Sequence, residues 1–470
     1  MLYNFNIINE LSILKGMLSY MSNIKHYKKY LSQIPDFRLS ADTVYSTEYN
    51  TEEIPENFHA VSSYVTAPVI NAYVMFILSE CMKKNIRRIY FMARDGQILF
   101  RTAEILCRKM NINIECRYLY CSRLSLRMPV YHLIGEEAFD ILLMRGFSLS
   151  AYNVLMRVCM SETERNMVYS DIEFDAENEK NMFSREEFDI FSDKLRNSEV
   201  YRNIVIKKSH IAYNTAVSYL KQEGLFENIS YAIADTGWTG SMQRSLGQLI
   251  SSVSGKKTKL TGFYFGMYTP PKSDEYGKYI NWYFSDLSSM GIKIKFNNNL
   301  FECMCSADHG MTLGYKSENG KTVPVLGKVS ETNRRLAVHQ IECACIFAEN
   351  ISYDIKNINE ELLHEMTRRL LQRIMYKPEK SEAEVLGQFE FCDDVSECYM
   401  MKLAEPLTEE QLSDSLVAEK IKCRLEHRHN DSELFWNYGT AAVSDIQNKN
   451  WYRFNFSLWD RARFLINMIQ

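Results

Sequence analysis

The sequence predicts an α/β fold, a Rossmann-like, mostly parallel sheet with a helical insertion and a helical C-terminal region. Three observations lead there. Short apolar runs at Arg88–Ala93, Cys116–Cys121 and Tyr231–Ala234 are strand-like, and each gives way to charged or hydroxyl residues. Two of them are followed by helical apolar spacing, Ile98, Ile105 and Leu106 after the first and Met242, Leu246, Leu249 and Ile250 after the third. The stretches between and after these units are patterned as amphipathic helices.

Taken in order, residues 1–55 form an N-terminal helical segment. Leu11, Leu14, Met17 and Leu18 share a helix face, and a basic cluster follows at Lys25, His26, Lys28 and Lys29. Such a helix can lie on a membrane surface, but packing against its own domain is the preferred reading. Glu52–Glu56 reads as a linker, and Val69–Leu78 as a buried helix with Pro68 in its first turn. Residues 56–330 form the α/β core. Within it, 136–222 is a helical insertion with an acidic middle from Ser161 to Glu187, and Ala212, Ala216, Tyr219 and Leu220 form one helix face. Lys207, Lys208 and His210 read as solvated, with reach to an anionic ligand as the alternative. Leu260–Met267 is a further strand and Lys272–Tyr279 a polar turn. From 331 to 470 the pattern is mainly helical, with Leu363, Met366, Leu370 and Ile374 on one face. The aromatic stretch Phe435–Ala441 reads as core packing in preference to a site wall.

Composition narrows the function. The 470 residues carry a net charge of -4, so no global basic field recruits nucleic acid. The 12 cysteines contain no C-x-x-C pair, and Cys303-Met-Cys305 has the wrong spacing for a zinc knuckle, so they read as small buried hydrophobes in a reducing compartment. Asn4, Asn6, Asn9 and Glu10 interrupt the first apolar run, and no stretch reaches the length of a membrane span. A cytoplasmic protein is expected, with attachment at the inner face of the membrane as a variant.

Three strand ends carry the chemistry: Arg94-Asp95-Gly96, Ser122-Arg123, and Asp235-Thr236-Gly237-Trp238-Thr239-Gly240-Ser241. Parallel α/β sheets bind ligands outside the carboxyl ends of their strands. Glycines let backbone N–H groups approach an anion, a helix N-terminus adds positive potential, and arginine matches phosphate oxygens bidentately. The third segment is neither a Walker loop nor a G-x-G-x-x-G turn. A second polar cluster, Glu302 with Ser306-Ala307-Asp308-His309-Gly310, interrupts an otherwise apolar region. Structural ion pairs and a tight strand-to-helix turn are the plain alternatives.

With Gln243 and Gly314-Tyr315, these segments resemble the glycan phosphoribosyltransferase domain of bacterial dual-domain ribofuranosyltransferases, polysaccharide-cluster proteins often labelled haloacid-dehalogenase-type hydrolases. Tyr64–Tyr73, Pro378–Gly387 and Trp436–Ala441 look like segments of the same family, so the likeness covers roughly residues 55 to 445. The resemblance implies transfer of 5-phosphoribosyl from phosphoribosyl pyrophosphate to a glycan acceptor, free or lipid-linked, in surface polysaccharide (capsule or O-antigen) biosynthesis, with Mg2+ as cofactor. This chain has no D-x-D-x-T nucleophile motif, so either a separate phosphatase protein removes the 5-phosphate or the product keeps it.

On that reading the donor is held by Arg94, Asp95, Gly96, Ser122, Arg123, Thr236, Gly237, Trp238, Thr239, Gly240, Ser241 and Gln243. Among them Thr239, Gly240 and Ser241 cradle the 5-phosphate, and Arg94 and Arg123 take the diphosphate. Asp95 and Asp235 are candidates for Mg2+ or the ribose diol. Asp235, Glu302, Asp308 and His309 are the catalytic candidates, the last three for the base. Two other classes stand beside this one: a hydrolase of polysaccharide biosynthesis, and a noncatalytic sugar-phosphate-binding partner.

Overall fold

The protein is seen in a computed structural model that describes residues 23–469 apart from 146–148, 272–274, 286–287, 289, 393–399 and 426–433. The expected helix face at Leu11–Leu18 lies outside the described residues.

After a helix over residues 23–31, α1 (Pro35–Tyr45) and α2 (Glu56–Val61) lead through a wide π-helical turn, Ser62–Thr66, into α3 (Ala67–Lys83). The run Glu56–Lys83 is therefore one rod of 28 residues, longer than the Val69–Leu78 helix expected. It is apolar and long enough to cross a membrane, but it is enclosed by the rest of the protein as a core helix.

The sheet follows. β1 (Arg88–Met92), α4 (Gly96–Lys109), β2 (Glu115–Leu119) and α5 (Arg123–Arg127) come first. A set of short helices then precedes the long α6 (Glu199–Gln222). β3 (Tyr231–Asp235), α7 (Ser241–Ser254), β4 (Leu260–Gly266) and β5 (Gly277–Phe284) complete it. The five strands are all parallel, in the order β2-β1-β3-β4-β5. The α/β reading with a parallel sheet is correct. β5 corrects it in detail, because its first residues form a strand where a polar turn is expected; Gly277–Phe284 mixes Lys278 and Asn281 with aromatics, which blurs the apolar run.

Alternation along the strands builds two cores. Ile89 and Phe91 of β1 and Ala232 and Ala234 of β3 face the side occupied by α3, whereas Tyr90, Met92 and Ile233 face Leu220 of α6 and Leu246 and Leu249 of α7. Buried on both faces, these strands read as the near-continuous apolar runs typical of parallel sheets. The helices between β2 and β3 gather a third apolar cluster, running from Leu124 to Val205.

Beyond the sheet come α8 (Asn298–Met304), a hairpin of β6 (Thr312–Glu318) and β7 (Lys321–Leu326), α9 (Glu331–Asn350), α10 (Glu360–Tyr376) and α11 (Lys380–Leu386). The two-residue strands β8 (Glu390–Phe391) and β9 (Met401–Lys402) pair antiparallel, and two helices, Asn437–Val443 and Lys449–Ile469, end the described chain. Trp436 is fully buried and its indole N–H donates to the Met375 carbonyl at 2.8 Å, so this aromatic stretch is core.

Candidate functional site

β1 leads on one side to β2, while β3 lies on its other side, so the strand order reverses between β1 and β3. Ligands bind at such a switch point, outside the carboxyl ends of the strands. Phe91 pairs with Ala234, and the two strands finish side by side. Asp95 and Asp235 are thereby brought together.

One residue holds both acids. The Thr236 hydroxyl donates to Asp95 Oδ2 at 2.5 Å, and the Thr236 N–H donates to Asp235 Oδ1 at 2.8 Å. Tyr73 of α3, buried, donates its hydroxyl to the Asp235 carbonyl at 2.8 Å and fixes the strand end from below. Burial pushes the Asp235 carboxyl up to about 8, with the negative charges of Asp95 and Glu302 adding to it and Arg123 opposing. Asp95 is raised too, again chiefly by loss of water, against the Thr236 bond and the positive charges of Arg94 and Arg123. Asp235, buried and raised further by its neighbour, and Asp95 together offer hard oxygen donors of the kind Mg2+ takes.

Glu302 comes from α8, where Leu300, Phe301, Cys303 and Met304 are buried and turn it toward the strand ends. The Trp238 indole N–H donates to Glu302 Oε1 at 2.6 Å. The Trp238 ring itself lies parallel to Phe284 and edge-on to Phe301. Trp238 is therefore an aromatic anchor that aims a carboxylate.

His309 donates Nδ1–H to the Gly310 carbonyl at 2.8 Å, which fixes the tautomer and leaves Nε2 to accept from the Tyr118 hydroxyl at 2.7 Å. Burial lowers the His309 pKa, so the ring is neutral. Arg94, Asp95, Glu302 and His309 line one cleft with Ser306, Asn333 of α9, and Glu390 and Phe391 of β8. Its enclosed volume is about 40 Å³, room for a few waters. A larger ligand has to lie across its mouth.

Several expected contacts are committed elsewhere. Ser122 caps α5 by accepting from the Ser125 N–H at 3.0 Å and donates to the Thr312 carbonyl at 2.6 Å. Gln243 is buried; its amide N–H group faces the carbonyls of Leu260, Tyr276 and Lys278, and its oxygen accepts from Tyr264 at 2.9 Å. Asp308 is exposed and clasped by Gln97, whose amide donates to Oδ1 at 2.7 Å and accepts from the Asp308 N–H at 2.9 Å; Asp308 is not part of the cleft wall. Gly96 serves packing, since a Cβ there would lie 2.8 Å from the Phe91 carbonyl carbon. The polar groups of Ser122, Gln243 and Asp308, and the space beside Gly96, are thus already filled from within the protein.

The loop from Gly237 to Ser241 opens on the other side of β3. Gly240 has φ +68, and a Cβ there would sit 2.5 Å from Tyr279 Cε1. A Cβ at Gly237 would meet the Gly266 carbonyl oxygen at 2.3 Å. Thr239 is exposed and Ser241 half-buried, and no side chain caps the first turn of α7. Arg123, the first residue of α5, is also exposed. Cationic side chains and an uncapped helix start therefore flank the paired acids. Tyr118, Asn333 and Glu390 carry no signal in the sequence; each sits in an ordinary strand or helix pattern with no local motif.

No family model matches the chain, and no curated protein matches it.

Proposed function

We propose that the protein is a phosphoribosyltransferase of the glycosyltransferase kind, moving 5-phosphoribosyl from phosphoribosyl pyrophosphate to a glycan hydroxyl. The observation that carries this reading is the pairing of Asp95 and Asp235 through Thr236 at the switch point, with Arg123 close enough to bias both acids and Arg94 close enough to bias Asp95. A donor with a phosphate at each end suits a site that is cationic at two places and acidic between them.

In this reading the uncapped start of α7, with Thr239 and Ser241, binds the 5-phosphate. Arg94 and Arg123 bind the diphosphate and offset the charge that develops on it as its bond to C1 breaks. Asp95 and Asp235 would hold Mg2+, which supplies further neutralisation of the leaving group. Glu302, aimed by Trp238, takes the proton of the acceptor hydroxyl as that oxygen bonds to C1. Neutral His309, with its Nε2 covered by Tyr118, shapes the cleft and is the second candidate base. The acceptor lies over the cleft mouth, walled by residues from α9 and β8.

The test is incubation with phosphoribosyl pyrophosphate, Mg2+ and candidate glycans while diphosphate release and labelled product are followed. Acceptor-dependent release with incorporation of phosphoribosyl supports transfer. Acceptor-independent release of orthophosphate supports the hydrolase reading. No binding of the donor by calorimetry, with or without Mg2+, removes the proposal.

A further inference from the structure

Away from the strand ends, three side chains from distant parts of the chain meet in the core. His59 lies on α2, and His339 and Cys343 lie one turn apart on the same face of α9. All three are buried, at 2%, 6% and 2% exposure. His59 Nδ1 is 3.0 Å from His339 Nε2, and Cys343 Sγ lies 3.5 Å from His339 Nε2 and 3.9 Å from His59 Nδ1. Zn–N bonds of about 2.0–2.1 Å and a Zn–S bond of about 2.3 Å at tetrahedral angles require about 3.3 Å between nitrogens and about 3.6 Å between nitrogen and sulfur. The observed triangle comes within about 0.3 Å of those dimensions, a small adjustment for side chains that close on an ion.

The surroundings fit a ligand set as well. His59 donates Nε2–H to the Tyr45 carbonyl at 3.2 Å, which leaves Nδ1 as the lone pair facing the other two atoms. A backbone carbonyl on the far nitrogen is the usual support of a metal-bound imidazole. Tyr49 stacks on the His59 ring at 3.9 Å and holds its plane. Burial keeps both imidazoles neutral, the state in which they ligate, with His339 held down to about 4. It also raises the Cys343 thiol, so the proton must leave when the metal enters.

We infer that His59, His339 and Cys343 bind one Zn2+ ion, with water at the fourth corner, and that the ion clamps α2 to α9. This is independent of the reading of the cleft, and its acid-pair Mg2+ site uses different residues. It bears on the cleft only mechanically: α9 carries Asn333 into the cleft wall, and Gln340, next to His339, donates to the Cys303 carbonyl at 3.2 Å beside Glu302. The alternative is a hydrogen-bonded histidine pair with a neighbouring thiol and no metal.

The experiment uses the full chain, stripped with chelator and reloaded with Zn2+ or Co2+. We expect one tightly held zinc per chain and, with Co2+, a thiolate-to-metal charge-transfer band. Cys343→Ser should abolish that band, and His339→Gln should weaken zinc retention at least about 100-fold, a loss beyond the 10–100-fold typical of supporting residues. X-ray absorption of the wild-type zinc protein should give two imidazole nitrogens and one sulfur, a reading that stands if the variants fail to fold. Absence of retained zinc and of the cobalt band overturns the inference. So does zinc retained undiminished in the folded Cys343→Ser/His339→Gln double variant, or a first shell with more than one sulfur.

Discussion

The Thr236 hydroxyl reaches Asp95 Oδ2 at 2.5 Å across the point where the sheet reverses its strand order. Because the N–H of the same residue binds Asp235, the geometry of the acid pair rests on one threonine. Both acids sit where burial makes their ionised forms costly, so the pair favours whatever cation offsets it.

Asp235 should therefore weaken the fold that holds it. Its folded pKa, about 8, lies above the ordinary aspartate value, so between about pH 4 and 8 the native state binds more protons than the unfolded chain. Stability from this group falls as pH rises through that window and levels off above it. Asp235→Asn should be more stable than wild type by about 1–3 kcal/mol at pH 8, with a gap that shrinks toward pH 5. It should also lose Mg2+-dependent turnover. Melting curves of both proteins from pH 5 to 8.5 check this; a gap that is flat with pH would show that Asp235 is ionised in the native state.

Trp238→Phe keeps the ring that stacks on Phe284 and removes the N–H that binds Glu302. Loss of one hydrogen bond to a charged group is worth about 1.5–3 kcal/mol, so kcat should fall about 10–100-fold with KM for the donor little changed. The melting temperature should drop only slightly. Glu302→Gln should cost more in kcat. If Trp238→Phe changes KM and leaves kcat alone, the indole is a donor contact after all.

The sheet and the acid pair were legible in the sequence because both are local signals. A buried parallel strand is an apolar run, and Asp95, Asp235, Arg94 and Arg123 lie within four residues of a strand end. The partners of those groups were not legible. Trp238 meets Glu302 across 64 positions, Tyr118 meets His309 across 191, and His59 meets His339 across 280, with nothing in the intervening sequence to announce the meeting. Ser122 and Gln243 show the opposite case. A hydroxyl or an amide near a strand end looks the same whether a ligand or the backbone satisfies it, and here capping of α5 and the carbonyls around β4 and β5 fill both. Cys343 was read as a small hydrophobe, which its burial supports, while its two histidine neighbours were hidden by distance along the chain.

Gly240 tests how the loop is held. Its positive φ and the 2.5 Å approach to Tyr279 mean that a side chain strains the backbone and collides with a ring. Gly240→Ala should lower stability by about 1–3 kcal/mol, before any effect on a phosphate is read. Tyr279→Ala should relieve the collision but not the backbone strain, so the double variant should recover part of the loss. A double-mutant cycle followed by chemical denaturation measures this coupling. Additive losses would mean that the ring moves aside freely and only the left-handed backbone requires glycine.

Arg123 separates binding from folding most cleanly. It is exposed at the first position of α5, and its charge bears on both Asp95 and Asp235. An exposed side chain contributes little to stability, so Arg123→Ala should move it by no more than about 0.5 kcal/mol. A guanidinium that meets a diphosphate contributes far more to affinity, and the same change should weaken binding of phosphoribosyl pyrophosphate about 10–100-fold. Arg123→Lys keeps the charge but not the two-pronged geometry and should fall between the two. Calorimetric titration with the donor at 0.05 and 0.3 M salt, beside melting curves, reads both effects; these concentrations are chosen to span the range over which exposed charges become screened, at about 0.1 M. The loss should be largest at low salt. A large fall in melting temperature with unchanged donor affinity would show that Arg123 serves the fold through an ion pair, and the diphosphate would then rest on Arg94 alone.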